Sequence, residues 1–292
     1  MSASRVLFDA PGPKARRRIA VVTVLSIVVI LAVAWWAVTI FASNGQLAPA
    51  KWKPFTNPGI PKFILTGLLN TMKVTVVAAL VAFPLGALVC LMRLARNRFA
   101  RWIATAYIEV LRSTPLLLLV YIFVGALPAI GFNVSLFWKI TLPVILCNIA
   151  LLAEVFRAGV RAVPTGQSEA ALAVGLTYWQ SMRLVVMPQA IRIIIPALIT
   201  QFVSLLKDSS LGFAASYPEL MKTATNLTPR YHNFIQSYLV IAAIYIVICL
   251  LLSTIARIVE RRLARARRSA VGDSEDAQLD VVDQNLPNLV MR

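Results

Sequence analysis

The chain has 292 residues, 59% of them hydrophobic and 14% charged, with mean hydropathy +0.77. Soluble domains average about 45–50% apolar and about 25% charged, and the apolar excess here falls in long blocks. That excludes a secreted disulfide scaffold, a disordered regulator and an ordinary soluble enzyme, and leaves an all-α polytopic membrane protein. The formal net charge is +17, from 29 Lys plus Arg against 12 Asp plus Glu. These cations sit between and beside apolar blocks, as expected of loops facing the cytoplasm and anionic lipid. No groove-reading or base-stacking motif accompanies them, so no nucleic-acid partner is expected. Cys90, Cys147 and Cys249 lie in apolar stretches and the single histidine is His232, so neither a disulfide framework nor a metal site is expected.

Six transmembrane helices are predicted. The first uncharged run, 19–43, follows Lys14 and Arg16-Arg17-Arg18. It exceeds a signal-peptide core of about 7–15 residues and reads as a retained helix. Residues 44–61, with Pro49, Pro54, Pro58 and Pro61, read as an external loop. The second span, 62–92, contains Lys73 and Pro84 and is expected to bend. Arg93, Arg96, Arg98 and Arg101 follow at once, which the positive-inside rule assigns to the cytoplasm. The third span, 102–125, carries Glu109 and Arg112, three residues apart and expected to form an intrahelical pair. The fourth, 137–158, carries Asn148 and Glu154, with Glu154 expected to pair with Arg157. The fifth, 188–206, ends at Lys207-Asp208, and the sixth, 231–256, has no Asp, Glu, Lys or Arg. This layout puts 21 cations on the proposed inner side and eight on the outer, so both termini are expected in the cytoplasm. The tail, 266–292, is acidic from Asp273 to Asp283 and is expected to be disordered.

Residues 159–196 are unlike a simple connector. Thr165 to Ser168 are suited to cap a helix, and Glu169 in its first turn would suit the helix dipole. Leu172, Leu176, Trp179 and Arg183 then recur at helical spacing, predicting one amphipathic cytoplasmic helix. Such a helix lies on lipid or fits a groove on a partner, and spacing does not choose between them.

The run Gly166-Gln167-Ser168-Glu169-Ala170-Ala171, then Gly175, Val185 and Met187-Pro188, resembles the coupling-loop signature of binding-protein-dependent ABC importer permeases. That signature reads Glu-Ala-Ala, three residues, Gly, nine residues, Ile, one residue, Leu-Pro. The spacing fits without a gap, and the departures, Val185 for Ile and Met187 for Leu, stay apolar. Arg112-Ser113-Thr114-Pro115, Ala153-Glu154-Val155-Phe156-Arg157-Ala158-Gly159 and Leu206-Lys207-Asp208-Ser209-Ser210-Leu211 resemble the polar amino-acid branch of that family. The whole chain looks most like the glutamate-type permeases of high-GC Gram-positive bacteria.

The resemblance implies a bacterial cytoplasmic-membrane protein. Its parts would be an N-terminal segment (1–61), a permease core of five-helix type I importer form (62–265) and the tail (266–292). It implies import of a polar amino acid, glutamate or aspartate, by alternating access. The implied partners are an ATPase subunit pair, a second permease subunit, identical or homologous, and an external substrate-binding protein. ATP and Mg would be used by the ATPase, since no Gly-x-x-x-x-Gly-Lys-Ser/Thr occurs here, and no catalytic residue is expected. Coupling to the ATPase would fall to Gly166, Glu169, Ala170, Ala171, Leu172, Gly175, Leu176, Trp179 and Pro188. Lys207, Asp208, Ser209, Asn148 and Lys73 are the pathway candidates. A Lys–Asp pair would offer a cation to an α-carboxylate and an anion to an α-ammonium. The same pair also reads as an interfacial anchor, Asn148 as an interhelical hydrogen bond, and Lys73 as a snorkelling side chain. The competing functions are an ion-coupled secondary transporter, which predicts an inverted repeat and buried ion ligands, and a non-transport scaffold or membrane enzyme.

Overall fold

The structure is a computed structural model and describes residues 12–258. The acidic tail and the expected core boundary at residue 265 lie outside the described residues. The first helix, α1 (Pro13–Ser43), begins on proline, whose missing N–H is not needed at that position. None of its residues is buried in the chain, a surface suited to hydrocarbon rather than water. The segment expected to be a loop is partly ordered as α2 (Pro49–Trp52) and a 3₁₀ turn (Lys53–Thr56). Gln236 donates to the carbonyl of Gln46, and Lys51 Nζ to that of His232 at 2.5 Å, fixing this segment against the far end of the chain.

Helix α3 (Gly59–Leu94) runs unbroken through Pro84. Its 36 residues reach roughly 54 Å, well beyond the ~30 Å hydrocarbon core. The third predicted span is two helices. Helix α4 (Arg98–Ser113) and α5 (Leu116–Ala129) meet at a 98° bend at Thr114-Pro115. Pro115 has no N–H to continue the helix and drives Thr114 into extended backbone. The hydroxyls of Ser113 and Thr114 donate to the carbonyls of Glu109 and Val110, occupying acceptors that the helix end leaves open.

Helix α6 (Leu136–Arg161) is the centre of the bundle and packs against α3, α9, α5 and α4. Beyond it come α7 (Thr165–Ala173), α8 (Tyr178–Ser181), a π turn (Met182–Val186) and α9 (Met187–Ser209). A 3₁₀ turn (Ser210–Ala215) leads to α10 (Leu220–Tyr231) and then to α11 (Phe234–Ile258). Helix α10 is not expected from the sequence. The predicted start of the last span at residue 231 gives way to a break at His232, which adopts left-handed backbone and ends α10. Among the described residues five helices are long and apolar enough to cross a membrane, and the bent α4–α5 pair makes six if it counts as one span.

Ala78, Ala82, Val144, Ile149, Leu152 and Leu205 form the core where α3, α6 and α9 meet. A methyl on Gly86 would lie 2.7 Å from Leu152 Cβ, and one on Gly159 would overlap Ile194. Glycine at these two positions lets α3 and α9 approach α6 closely. A second cluster, with Ile60, Ile64, Leu220, Ala224 and Ile241, binds α10 and α11 to the start of α3. The bundle thus has two ends. One gathers the C-terminus of α3, the start of α4, the C-terminus of α6, and α7 and α8. The other gathers α2, the start of α3 and α10.

Candidate functional site

Two groups of residues stand out, one at the α7 end and one inside the bundle. At the α7 end the predicted single amphipathic helix is two. Helix α7 stops at Ala173, and Gly175 takes φ +86, a conformation open to glycine and strained for other residues. Thr177 then caps α8 through a reciprocal pair with Gln180. Leu172, Leu176, Trp179 and Arg183 therefore do not form one helical stripe. Helix α7 also starts earlier than expected, with Pro164 as its cap, so Glu169 sits in the second turn rather than the first. Gly175 is required by the turn and not by a close neighbour, since nothing lies within 4 Å of a methyl placed there.

Gly166, Glu169, Ala170, Leu172, Gly175, Trp179 and Pro188 are exposed, Leu176 is half-buried, and Ala171 is buried. The segment is tied to the bundle by Gln189 Nε2, which donates to Gln167 Oε1 at 3.1 Å and to the Val185 carbonyl at 3.0 Å. Pro188 brings no N–H to the helix, and the π turn before it is the local adjustment to that gap.

Above this segment lies an ionic cluster. Glu154 accepts from Arg93 of α3 and from Arg157 Nε at 3.2 Å, and Arg112 Nη1 lies 3.9 Å away. Arg93 also reaches Glu109 at 3.3 Å. The expected Glu154–Arg157 pair is present. The expected Glu109–Arg112 pair does not form: Glu109 pairs with Arg93 of α3 instead, and the nearest carboxylate to Arg112 is Glu154 of α6 at 3.9 Å. Sequence reading missed Arg93 by placing it in a loop. The signal was the near-continuous apolar run that resumes at Leu94 beyond Arg93.

Inside the bundle, Asn148 is fully buried and donates to Asp208 Oδ2 at 3.1 Å, and Gln201 Nε2 donates to Asn148 Oδ1 at 2.9 Å. This ties α6 to the C-terminal half of α9 at two points. Ser209 is also buried, accepting from Thr75 of α3 at 3.2 Å. Lys207 points the other way. It is exposed at the rim of a groove of about 650 Å³, lined further by Ser210, Tyr238, Tyr245, Cys249 and Ser253. Lys73 stands apart from that groove, 5.0 Å above the ring of Phe137. Of the five pathway candidates, only Lys207 lines the groove; Asn148, Asp208 and Ser209 are turned inward to join helices.

A further carboxylate was not anticipated. Glu219 caps α10, accepting from the N–H of Met221 at 2.7 Å and of Lys222 at 2.6 Å, and from Tyr245 at 3.2 Å. Burial pushes its carboxyl up to about 7, against the lowering effect of those bonds. The clue was a Pro-Glu step ahead of an apolar–polar run, the pattern of a capped helix.

Residues 82–265 match the family described as binding-protein-dependent transport system inner membrane component. The chain belongs to this family. It is 34% identical to the arginine transport system permease protein ArtQ of Bacillus subtilis (strain 168), over 71% of this chain and 95% of that one. It is 33% identical to the glutamate transport system permease protein GluD of Corynebacterium glutamicum, over 79% and 86%. A crystal structure of an amino acid ABC transporter superposes with TM-score 0.67 at 33% identity, covering 69% of this chain and 94% of that one. As a binding-protein-dependent transport component, the chain is a multi-pass, helical inner-membrane protein and a non-catalytic permease subunit. Nothing in these likenesses points to an ion-coupled secondary transporter.

Proposed function

We propose that this chain is the membrane-spanning subunit of an ATP-driven importer whose cargo is glutamate or aspartate. The observation that carries the cargo reading is the groove between α9 and α11. Among the described residues its lining holds one charged side chain, Lys207, and no carboxylate. An anionic amino acid crossing hydrocarbon needs a cation, since a bare charge there costs roughly 2.5–3.5 kcal/mol or more. The glutamate permease among its relatives supports the same cargo.

The α7–α8 segment is the surface on which an ATPase pair would act, through the exposed Gly166, Glu169, Ala170, Leu172, Gly175 and Trp179, with half-buried Leu176 and buried Ala171 supporting it from behind and Pro188 following on α9. On this reading the α7 end would lie in the cytoplasm and the α2–α10 end outside, where a binding protein would deliver cargo. ATP with Mg would be consumed by the ATPase, and a second permease subunit would complete the pathway. Closure of the ATPase pair moves α7; the Glu154 cluster and the Gln189 tie carry that movement to α6, α3 and α9, and access alternates between the two ends. The test is reconstitution of the complex with its ATPase and binding protein, followed by stimulated ATPase and uptake over a panel of amino acids. Stimulation by glutamate or aspartate supports the reading. Stimulation by arginine and not by acidic amino acids overturns the cargo assignment, and uptake that needs an ion gradient and no ATP overturns the whole.

A further inference from the structure

Helix α4 presents three faces. Ala104 and Ile108, with Tyr107 and Leu111, pack on α3 and α6 around Cys90, Ala150 and Ala153. Phe99, Trp102, Ile103 and Val110 recur three, four and eleven residues from the first of them. They form a stripe that none of the described residues covers, with Phe99 69%, Trp102 68% and Val110 61% exposed. Between these two faces run Arg98, Arg101, Thr105, Glu109 and Arg112. Glu109 and Arg112, near the C-terminal end, are engaged by Arg93 and Glu154. Arg98 and Arg101, in the first turn, have no carboxylate within 4.0 Å among the described residues.

We infer that the first turn of α4 is a contact site for anionic phospholipid on the α7 side of the membrane, with Arg98 and Arg101 facing headgroup phosphates and Phe99 and Trp102 seated in the acyl boundary. The chemistry selects this occupant. A membrane protein surrounds its apolar stripes with lipid, and the uncovered faces of α1 and α11 are of the same kind. An apolar stripe flanked by unpaired arginines and closed by tryptophan is the pattern of a helix lying at an anionic interface. Asn97 caps the helix by accepting from the Phe99 N–H at 2.9 Å, which holds the turn in register. The inference needs only the membrane placement of the chain and is independent of its cargo.

The consequence reaches the bundle core. The far end of α4 is bound into the Glu154 cluster, and Glu154 lies on the last turns of α6 before α7. Lipid charge at Arg98 and Arg101 therefore acts on a helix that is braced against the coupling end.

The test uses the purified complex in bilayers of phosphatidylcholine doped at low mole fraction with brominated phosphatidylglycerol or brominated phosphatidylcholine. The signal is the part of the tryptophan quenching that Trp102→Phe removes. Each of the two cations attracts anionic lipid by about 1 kcal/mol, so this signal is expected to be roughly thirtyfold stronger with phosphatidylglycerol. The preference should vanish in Arg98→Gln/Arg101→Gln and persist in Arg98→Lys/Arg101→Lys. If the glutamine variant does not assemble, the wild-type complex at high salt reads the same interaction, because screening collapses a headgroup preference. Equal quenching by both lipids, or a preference unchanged by the glutamines or by salt, overturns the inference. So does quenching by neither, which would mean that a protein covers this face.

Discussion

Lys207 and Asp208 are neighbours in sequence and part company in the fold. Consecutive helical residues diverge by about 100°, and the buried Asn148 takes Asp208 while Lys207 faces the groove. Their substitutions should therefore differ in kind. Lys207→Ala is expected to raise the cargo concentration for half-maximal ATPase stimulation at least about tenfold, roughly 1.4 kcal/mol, with basal ATPase retained. Unchanged stimulation and uptake would return Lys207 to an interfacial anchor. Asp208→Asn should leave cargo response near normal but lower thermal stability, since the bond from Asn148 loses its charge assistance and a buried NH₂ group replaces an acceptor oxygen. Glu219 gives a pH signature. Its folded value of about 7 lies above the ordinary carboxylate range near 4.3. The folded state then binds the proton more tightly, so stability is greatest below about pH 4.5 and falls as pH rises towards 7. Thermal denaturation of Glu219→Gln at pH 5 and pH 8 should show a smaller pH difference than the wild type, and an equal difference would sink this account.

At the scale of elements, the long helices were legible and the breaks were not. Uncharged runs of 19 residues or more announce α1, α3 and α11 because hydrocarbon admits little else. The α4–α5 corner was hidden because both halves are apolar enough to read as one span, though Pro115 was in plain view. Helix α10 was hidden because its short apolar face is matched to α3 and α11, and only tertiary packing makes it stable. The coupling segment was located by its motif yet misread as one helix, because periodicity ran on past Gly175, whose left-handed turn no spacing rule registers. That turn changes the meaning of the glycine. Gly175→Ala, with space for its methyl but the wrong backbone preference, should cost about 1 kcal/mol and impair coupling. The check is the ratio of transport to ATP hydrolysis in the reconstituted complex; a ratio equal to wild type would mean that the turn tolerates other conformations. The functional candidates divided in the same way: charge type identified Lys207, but only the fold separates it from Asp208, Ser209 and Asn148, which serve as ties between helices.

Across the whole molecule, charge is sorted by end. The four described ion pairs all belong to the cluster around Glu154 and Arg93. At the opposite end lie Lys51, Lys53, Lys62, Lys222 and Arg230, and the one carboxylate among the described residues there, Glu219, is buried and occupied by backbone N–H groups. Orientation follows if the α7 end is cytoplasmic. Cysteines placed at Asn57 and Ser168 should then label differently in intact cells with a membrane-impermeant thiol reagent, the first readily and the second only after permeabilisation. The reverse pattern would invert the topology. The centre of this arrangement has a mechanical corollary. Helix α6 is roughly 39 Å long, and the missing side chains at Gly86 and Gly159 lock it against α3 and α9 with little slack. A close-packed beam of that kind pivots rather than flexes. Tilting it by about 10° about its midpoint swings each tip by roughly 3 Å in opposite senses, so a small push at one membrane face becomes an equal and opposite displacement at the other.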